Sequence, residues 1–175
     1  MDAATSRDIL FSVRPKYASK IIEGTKTVEL RRRFPENAVR GALALIYSSS
    51  PVRAVVGCAR IKYVSRLSIA QIWKQYGEAA CITREDLYAY FSGLKFGFAI
   101  VLEGVQPLVR QLDAGELQVQ FGIVPPQSYR YVSGDVAAFL NDEQVQASDR
   151  HPRGDRPRRR QARSGVPRRP CQTKQ

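Results

Sequence analysis

Three ionic side chains follow a glycine in the stretch Gly24-Thr25-Lys26-Thr27-Val28-Glu29-Leu30-Arg31 and are the first candidates for chemistry. If a strand begins near Lys26, Glu29 and Arg31 share one face and lie about 7 Å apart along it. A carboxylate there could accept a hydrogen bond from a base amine, while guanidinium and ammonium groups could hold a phosphate or a base carbonyl. Lys26 could act as a base if it is desolvated beside Arg31.

Other side chains near this stretch could complete a nucleic-acid site. We expect phosphate contacts from a basic rim formed by Lys16, Lys20, Arg32 and Arg33. Tyr17 or Tyr47 could stack on a base, and Ser48 and Ser49 could donate hydrogen bonds from a neighbouring turn.

A plainer interpretation of the same residues is also open. Glu29 and Arg31 could form only a structural ion pair, and Arg31-Arg32-Arg33 could be a solvated strand end.

The few histidines and cysteines limit the catalytic groups and metal ligands that the chain can offer. The only histidine is His151, in a segment predicted to be disordered, which argues against a histidine base or a histidine-ligated metal in the folded part. Cys58, Cys81 and Cys171 are scattered and odd in number, which argues against a disulfide framework and a zinc site. We therefore expect no metal, no cofactor and a reducing, cytoplasmic compartment.

The formal charge of +12 is unevenly spread. Residues 149–175 hold ten Lys or Arg against two Asp, a net charge of +8, so residues 1–148 carry only +4. The high pI therefore reflects mainly the C-terminal end and does not by itself make the folded part a nucleic-acid binder.

Period-two runs predict the strands of the fold. They cover residues 8–14, a stretch starting at Lys26, residues 42–47, 52–61 and 95–103, and an extended segment at 121–131. The turn Ser48-Ser49-Ser50-Pro51 predicts antiparallel pairing of the third and fourth of these. The pattern of residues 107–117 is ambiguous and does not predict one type of secondary structure.

Start and stop signals predict short helices between the strands. Pro15 opens one that ends before Gly24, Ser68 with Gln71 forms a capping box for a second, and Thr83 caps a third. A last helix is expected over residues 135–140. The fold class is therefore α+β.

The chain divides into one domain, residues 1–146, and a disordered Arg/Pro-rich tail, residues 147–175. The tail offers almost nothing to bury, so burial cannot offset the entropy of ordering it. No run is long and apolar enough to span a membrane, no export signal is recognisable, and no feature indicates an oligomeric state.

The run from Gly24 to Arg31 resembles the G-x-K-x-x-E-x-R signature of ASCH domains, in the PUA-like superfamily. The similarity extends over roughly residues 8–141. It includes Pro15-Lys16-Tyr17-Ala18, Tyr47-Ser48-Ser49-Ser50-Pro51, Gly97-Phe98-Ala99-Ile100 and Pro125-Pro126-Gln127-Ser128, all similar to ASCH proteins labelled transcriptional regulators.

The resemblance implies a small, mostly antiparallel β-barrel with interspersed helices, and RNA or a modified base as partner. Some ASCH relatives act as amidohydrolases on N4-acetylcytidine through a lysine, a threonine and a glutamate, and others are described as ribonucleases. The lysine falls on Lys26, whereas the threonine falls on Glu29, so the hydroxyl is missing here.

Three hypotheses follow. The leading one is an RNA- or modified-nucleoside-binding module that uses the cleft around Lys26, Glu29 and Arg31, with DNA a further possibility through the basic tail. The alternative is a metal-independent hydrolase of RNA or an acylated base, with Lys26 as base and Glu29 as proton shuttle or orienting group. The third is a sensing or interaction module in gene regulation, for which no helix-turn-helix is recognisable.

Overall fold

Two long antiparallel strands form the centre of the molecule. The structure is a computed structural model that describes residues 8–35 and 40–149. Six strands make one sheet in the order β2-β5-β4-β3-β1-β6. Their bounds are β1 Asp8–Val13, β2 Val28–Arg31, β3 Leu43–Ser48, β4 Ala54–Ser68, β5 Phe96–Asp113 and β6 Tyr129–Val132. Neighbouring strands are antiparallel except β1 and β3, which run parallel.

The described residues form five helices, four of them between strands and the last after β6. They are α1 Pro15–Ile22, α2 Ile69–Tyr76, α3 Arg84–Tyr90, α4 Ala114–Phe121 and α5 Gly134–Asp149. The predicted starts of the first three are confirmed, because Pro15 opens α1, Ser68 and Gln71 form the capping box of α2, and Thr83 caps α3. No helix among the described residues is long and apolar enough to cross a membrane.

The C-terminal half differs from prediction at three places. β5 continues to Asp113 instead of ending near Glu103, because it stays paired with the long strand β4 as far as Ala54. The segment predicted as extended from Phe121 is a strand only over Tyr129–Val132. The last helix runs to Asp149, well past residue 140. The predicted disordered tail lies outside the described residues from 150 onward.

Strand alternation sorts the buried side chains between the two faces of the sheet. One face, here called the inner face, carries Ile9, Phe11, Ile46, Ile61 and Ile100. A second cluster with Leu10, Leu45 and Leu112 packs beneath α4 and α5, and a third with Val28, Leu30 and Ile72 packs beneath α2 and α3. β2 therefore turns Val28 and Leu30 away from the inner face, which leaves Glu29 and Arg31 facing inward.

The predicted β-barrel is wrong in one respect, because the sheet does not close. β2 and β6 are the two edges, and each is only four residues long. Prolines lie close to both strands, Pro35 after β2 and Pro125 and Pro126 before β6, and proline cannot donate to a ladder. The edges instead meet through side chains, with the rings of Phe34 and Tyr129 centred 4.9 Å apart.

Candidate nucleic-acid site

A buried ionic network occupies the inner face of β2. Glu29 lies between two cations, with Oε2 3.3 Å from Lys26 Nζ and Oε1 3.1 Å from an Arg31 guanidinium nitrogen. Lys26, Glu29 and Arg31 are 3%, 7% and 6% exposed, so water has little access to any of them. The predicted convergence of these three side chains is therefore what the structure shows, with Glu29 as the central member.

The Lys26 ammonium is held by three acceptors. It donates to the backbone carbonyl of Val28 at 2.7 Å and to that of Ala80 at 2.9 Å, in addition to its ion pair with Glu29. Ala80 belongs to the segment between α2 and α3, which also accepts the Thr27 and Val28 amides through the Ala79 carbonyl. Since an ammonium has three donors, this arrangement uses all of them.

Arg31 reaches from β2 toward the opposite edge of the sheet. Its guanidinium donates to the Ser12 carbonyl at 3.1 Å and to the Ser128 hydroxyl at 3.3 Å, and it lies 5.1 Å from the centre of the Phe11 ring. The third guanidinium nitrogen, Nε, is buried and has no hydrogen-bond partner among the described residues. The N–H of Nε thus lacks an acceptor in a site from which water is largely excluded.

The network has an unbalanced charge. Two cations surround one carboxylate, which leaves a formal charge of +1 on buried groups, and no second carboxylate pairs with Lys26 or Arg31 in the described part of the chain. Two tyrosines lie close to this charge. Burial raises the pKa of Tyr90 and of Tyr129, and the positive charge of Arg31 opposes that rise in both.

The predicted rim is only partly assembled. Tyr17 is half-buried, with Lys26 Nζ 5.2 Å and Lys16 Nζ 4.7 Å from the centre of its ring. Arg32 is exposed, and its guanidinium donates to the Tyr90 and Ser92 carbonyls at 2.8 and 3.1 Å, which ties the end of β2 to the end of α3.

The serine turn lies apart from the network. Ser48 is buried, Ser49 is half-buried, and neither hydroxyl hydrogen-bonds to Lys26, Glu29 or Arg31 within residues 8–35 and 40–149. Tyr47 packs in the cluster beneath α4 and α5 and is 5% exposed, so the expectation that it stacks on a base is wrong. Alternation along β3 puts Tyr47 on the face opposite Ile46.

Five contacts of the network were missed by sequence reasoning. The Ser12, Val28 and Ala80 groups are backbone carbonyls, which carry no residue-type signal. Phe11 lies in an apolar run that predicts only a strand, so the sequence does not mark its ring as a contact of Arg31. The Ser128 hydroxyl had a signal, because Ser128 ends the Pro125-Pro126-Gln127-Ser128 segment that resembles ASCH proteins.

Comparisons with known proteins identify the family of this chain. Residues 6–121 match the family described as Domain of unknown function (DUF365). A protein from Zymomonas mobilis subsp. mobilis named ASCH domain-containing ribonuclease is 30% identical over 132 residues, which cover 75% of this chain and 88% of that protein.

Solved structures of the Zymomonas mobilis ASCH protein have the same fold. One of these structures is 27% identical to this chain and superposes on it with a TM-score of 0.70. The match covers 81% of this chain and 95% of the Zymomonas chain. A serine-to-alanine mutant of that protein is 28% identical, covers 79% and 96% of the two chains, and gives a TM-score of 0.73. The chain therefore belongs to the DUF365 family and is an ASCH domain protein with the PUA-like fold.

Proposed function

We propose that this protein binds RNA at the ionic network of Lys26, Glu29 and Arg31. The observation that carries the proposal is the burial of three charged side chains with a net charge of +1 beside an unpartnered Arg31 Nε. Burying charge is costly, so stability alone does not explain a cluster that leaves one positive charge uncompensated. An anionic ligand such as a phosphate would balance the extra charge.

Neighbouring groups supply a route from the network to solvent. The Ser128 hydroxyl is on an exposed residue and accepts a hydrogen bond from Arg31. Tyr17 presents a half-buried ring next to Lys26, and Lys16 is exposed beside it. A nucleotide could therefore contact the hydroxyl, the aromatic ring and a surface cation while its negative charge faces Arg31.

The name of the Zymomonas relative supports RNA over other anions. That protein is named a ribonuclease, and the present chain covers 88% of it. On that basis we propose RNA as the partner of this chain as well. Recognition of a modified nucleoside, contact with DNA through the basic tail, a regulatory role and a cytoplasmic location remain predictions from sequence.

Binding is tested with fluorescently labelled single-stranded RNA and the full chain at two salt concentrations. We expect salt-sensitive binding, which weakens for Ser128→Ala because Arg31 loses its surface partner. Ser19→Ala is a matched control, since Ser19 is exposed and hydrogen-bonds only within α1. A full chain that binds neither RNA oligomers nor nucleosides at low salt contradicts the proposal.

RNA cleavage is the second candidate function, favoured by the name of the relative. All three Lys26 donors are engaged, two of them by carbonyls that cannot take a proton, so the contacts support a positioning role for Lys26 more than a role as base. End-labelled RNA and N4-acetylcytidine should be incubated with the protein and a chelator. Product that disappears in Glu29→Gln while RNA affinity is kept supports an enzyme, whereas no product from either substrate argues for a binding module.

A further inference from the structure

A basic and aromatic pocket of about 350 Å³ lies next to the network, and none of Lys26, Glu29 and Arg31 lines it. Four of its lining residues are cationic, namely Arg32, Arg33, Arg66 and Lys95, and none is acidic. Its apolar lining residues are Leu94 and three phenylalanines, Phe34, Phe96 and Phe98. Its volume falls at the lower end of the range for small-ligand sites, roughly 300–1,000 Å³.

Strand register connects the pocket to the network. Arg31 of β2, Phe98 of β5 and Arg66 of β4 are direct cross-strand partners, so these three residues form one row across the sheet. Phe96 lies one row further along β5, about 7 Å from Phe98. Glu29 lies one row in the other direction, opposite Ile100. A ligand that fills the pocket therefore lies beside the row that contains Arg31.

The pocket side chains have the properties of a base-stacking platform. Phe96 is 46% exposed, which is high for a phenylalanine, and the Arg66 guanidinium lies 4.7 Å from the centre of its ring. Stacking on aromatic rings and guanidinium planes is how proteins hold unpaired bases. Bases inside a duplex cannot reach such a ring, because their faces are already covered by neighbouring bases.

The cations have separate tasks. Arg32 is occupied by the Tyr90 and Ser92 carbonyls, so it fixes the wall of the pocket. Arg33 and Lys95 are exposed residues of the same pocket and have the charge that a phosphodiester needs. An acidic peptide would also be attracted by these cations, but it would make no use of the aromatic rings.

We propose that this pocket binds one nucleotide of single-stranded RNA, with the base against Phe96 and the phosphate at Arg33 and Lys95. The neighbouring nucleotide then reaches the Arg31 row. This inference rests on the proposed function, because it assumes that the chain binds RNA. It adds a subsite and a preference for unpaired strands.

The test compares variants of the full chain by fluorescence anisotropy with a labelled single-stranded RNA 12-mer and its duplex. Phe96→Leu keeps an apolar side chain but removes the ring, and should weaken single-strand binding roughly 5- to 150-fold, the range measured for loss of one stacked base. Arg33→Ala and Lys95→Ala should each lower the slope of log K against log salt by about 0.7. Lys74→Ala, an exposed cation on α2, should change neither quantity.

The results of these measurements distinguish failure of the nucleotide subsite from failure of RNA binding as a whole. Wild-type RNA affinity in Phe96→Leu, Arg33→Ala and Lys95→Ala overturns the subsite and leaves the proposed function standing, whereas loss of affinity only in Ser128→Ala points to the network alone. Equal affinity for duplex and single strand, or equal affinity for polyglutamate, also overturns it. A full chain that binds no RNA refutes both proposals. Crosslinking of 4-thiouridine RNA to a peptide that contains Phe96 would support the subsite directly, and thermal unfolding checks that the variants stay folded.

Discussion

At the scale of single residues, Glu29 is the side chain on which the network depends. It is the common partner of Lys26 and Arg31, and all three are nearly inaccessible to water. Desolvation of buried charges often outweighs their mutual attraction, so such a cluster is weak evidence for a purely stabilising role. Removing one partner is nevertheless severe, because the remaining charges stay buried without compensation.

Replacing Glu29 with Gln should lower the free energy of unfolding by about 3–5 kcal/mol, since two buried cations lose the carboxylate that they share. Urea denaturation measures the change. Glu103→Gln is the matched control, because Glu103 pairs with Lys62 at a site where the two side chains are 52% and 55% exposed. That substitution should cost less than about 1 kcal/mol. Equal losses in the two variants would show that the network does not behave as a buried one.

At the scale of elements, local signals place the helices and a few glycines permit close packing. Ser68 with Gln71 and Asp113 with Glu116 both form complete capping boxes, the second at the start of α4. Gly97 in β5 lies directly over the Phe91 ring at the end of α3. The absence of a side chain at Gly97 therefore permits the close packing of α3 on the sheet.

The hydrogen bonds of Glu116 at the start of α4 should lower its pKa. The hydrogen bond from Arg110 and then that from the Asp113 amide lower the pKa of Glu116. A lowered pKa means that the ionised group favours the folded state above its unfolded-state pKa of about 4.3, and that this contribution is lost as pH falls through the folded-state value. NMR titration should give Glu116 a pKa below that of a free glutamate. Arg110→Gln should raise it, and Arg130→Gln should leave it unchanged.

Gly97→Ala should destabilise the protein by about 1–3 kcal/mol, the usual cost of overpacking. A Cβ at residue 97 would lie 2.3 Å from a carbon of the Phe91 ring, which is 1% exposed and cannot move easily. Gly134→Ala adds the same methyl group where nothing lies within 4 Å, and serves as the control. Thermal or urea unfolding measures both, and a Gly97→Ala protein as stable as the control would contradict the packing described here.

At the scale of the whole molecule, the edges of the sheet meet through side chains, and no backbone hydrogen bond joins β2 to β6 in the part of the chain that the structure describes. Arg31 and Phe34, on and just after β2, cross the gap to Ser12, Ser128 and Tyr129. The two proposed contact regions lie on this inner face, with the network on β2 and the pocket extending over β5 and β4. A single strand could therefore cross several β-strands of the sheet.

Removal of residues 150–175 should weaken RNA binding and leave the melting temperature of the domain unchanged. This segment holds ten Lys or Arg and almost nothing apolar, so the expected contribution is electrostatic and independent of base sequence. Binding isotherms of the full and shortened chains at several salt concentrations measure it. Equal salt slopes for the two chains would mean that the basic segment makes no phosphate contacts.

The sequence by itself determined the local features of this protein. Proline, glycine and capping residues set the starts of α1, α2 and α3, and period-two alternation put Glu29 and Arg31 on one face. The G-x-K-x-x-E-x-R run also identified the three ionic residues. These are short-range properties, which depend on neighbours within a few positions and can therefore be read from the chain.

Only the tertiary structure decided the partners and the limits of the long elements. Which carbonyls hold Lys26, which edge Arg31 crosses and whether the sheet closes all depend on contacts between residues far apart in the chain. The extension of β5 to Asp113 required a paired β4, and the pocket required Arg33, Arg66 and Phe96 to meet from three different segments. No pattern within one segment contains that information, because it arises from packing and strand register.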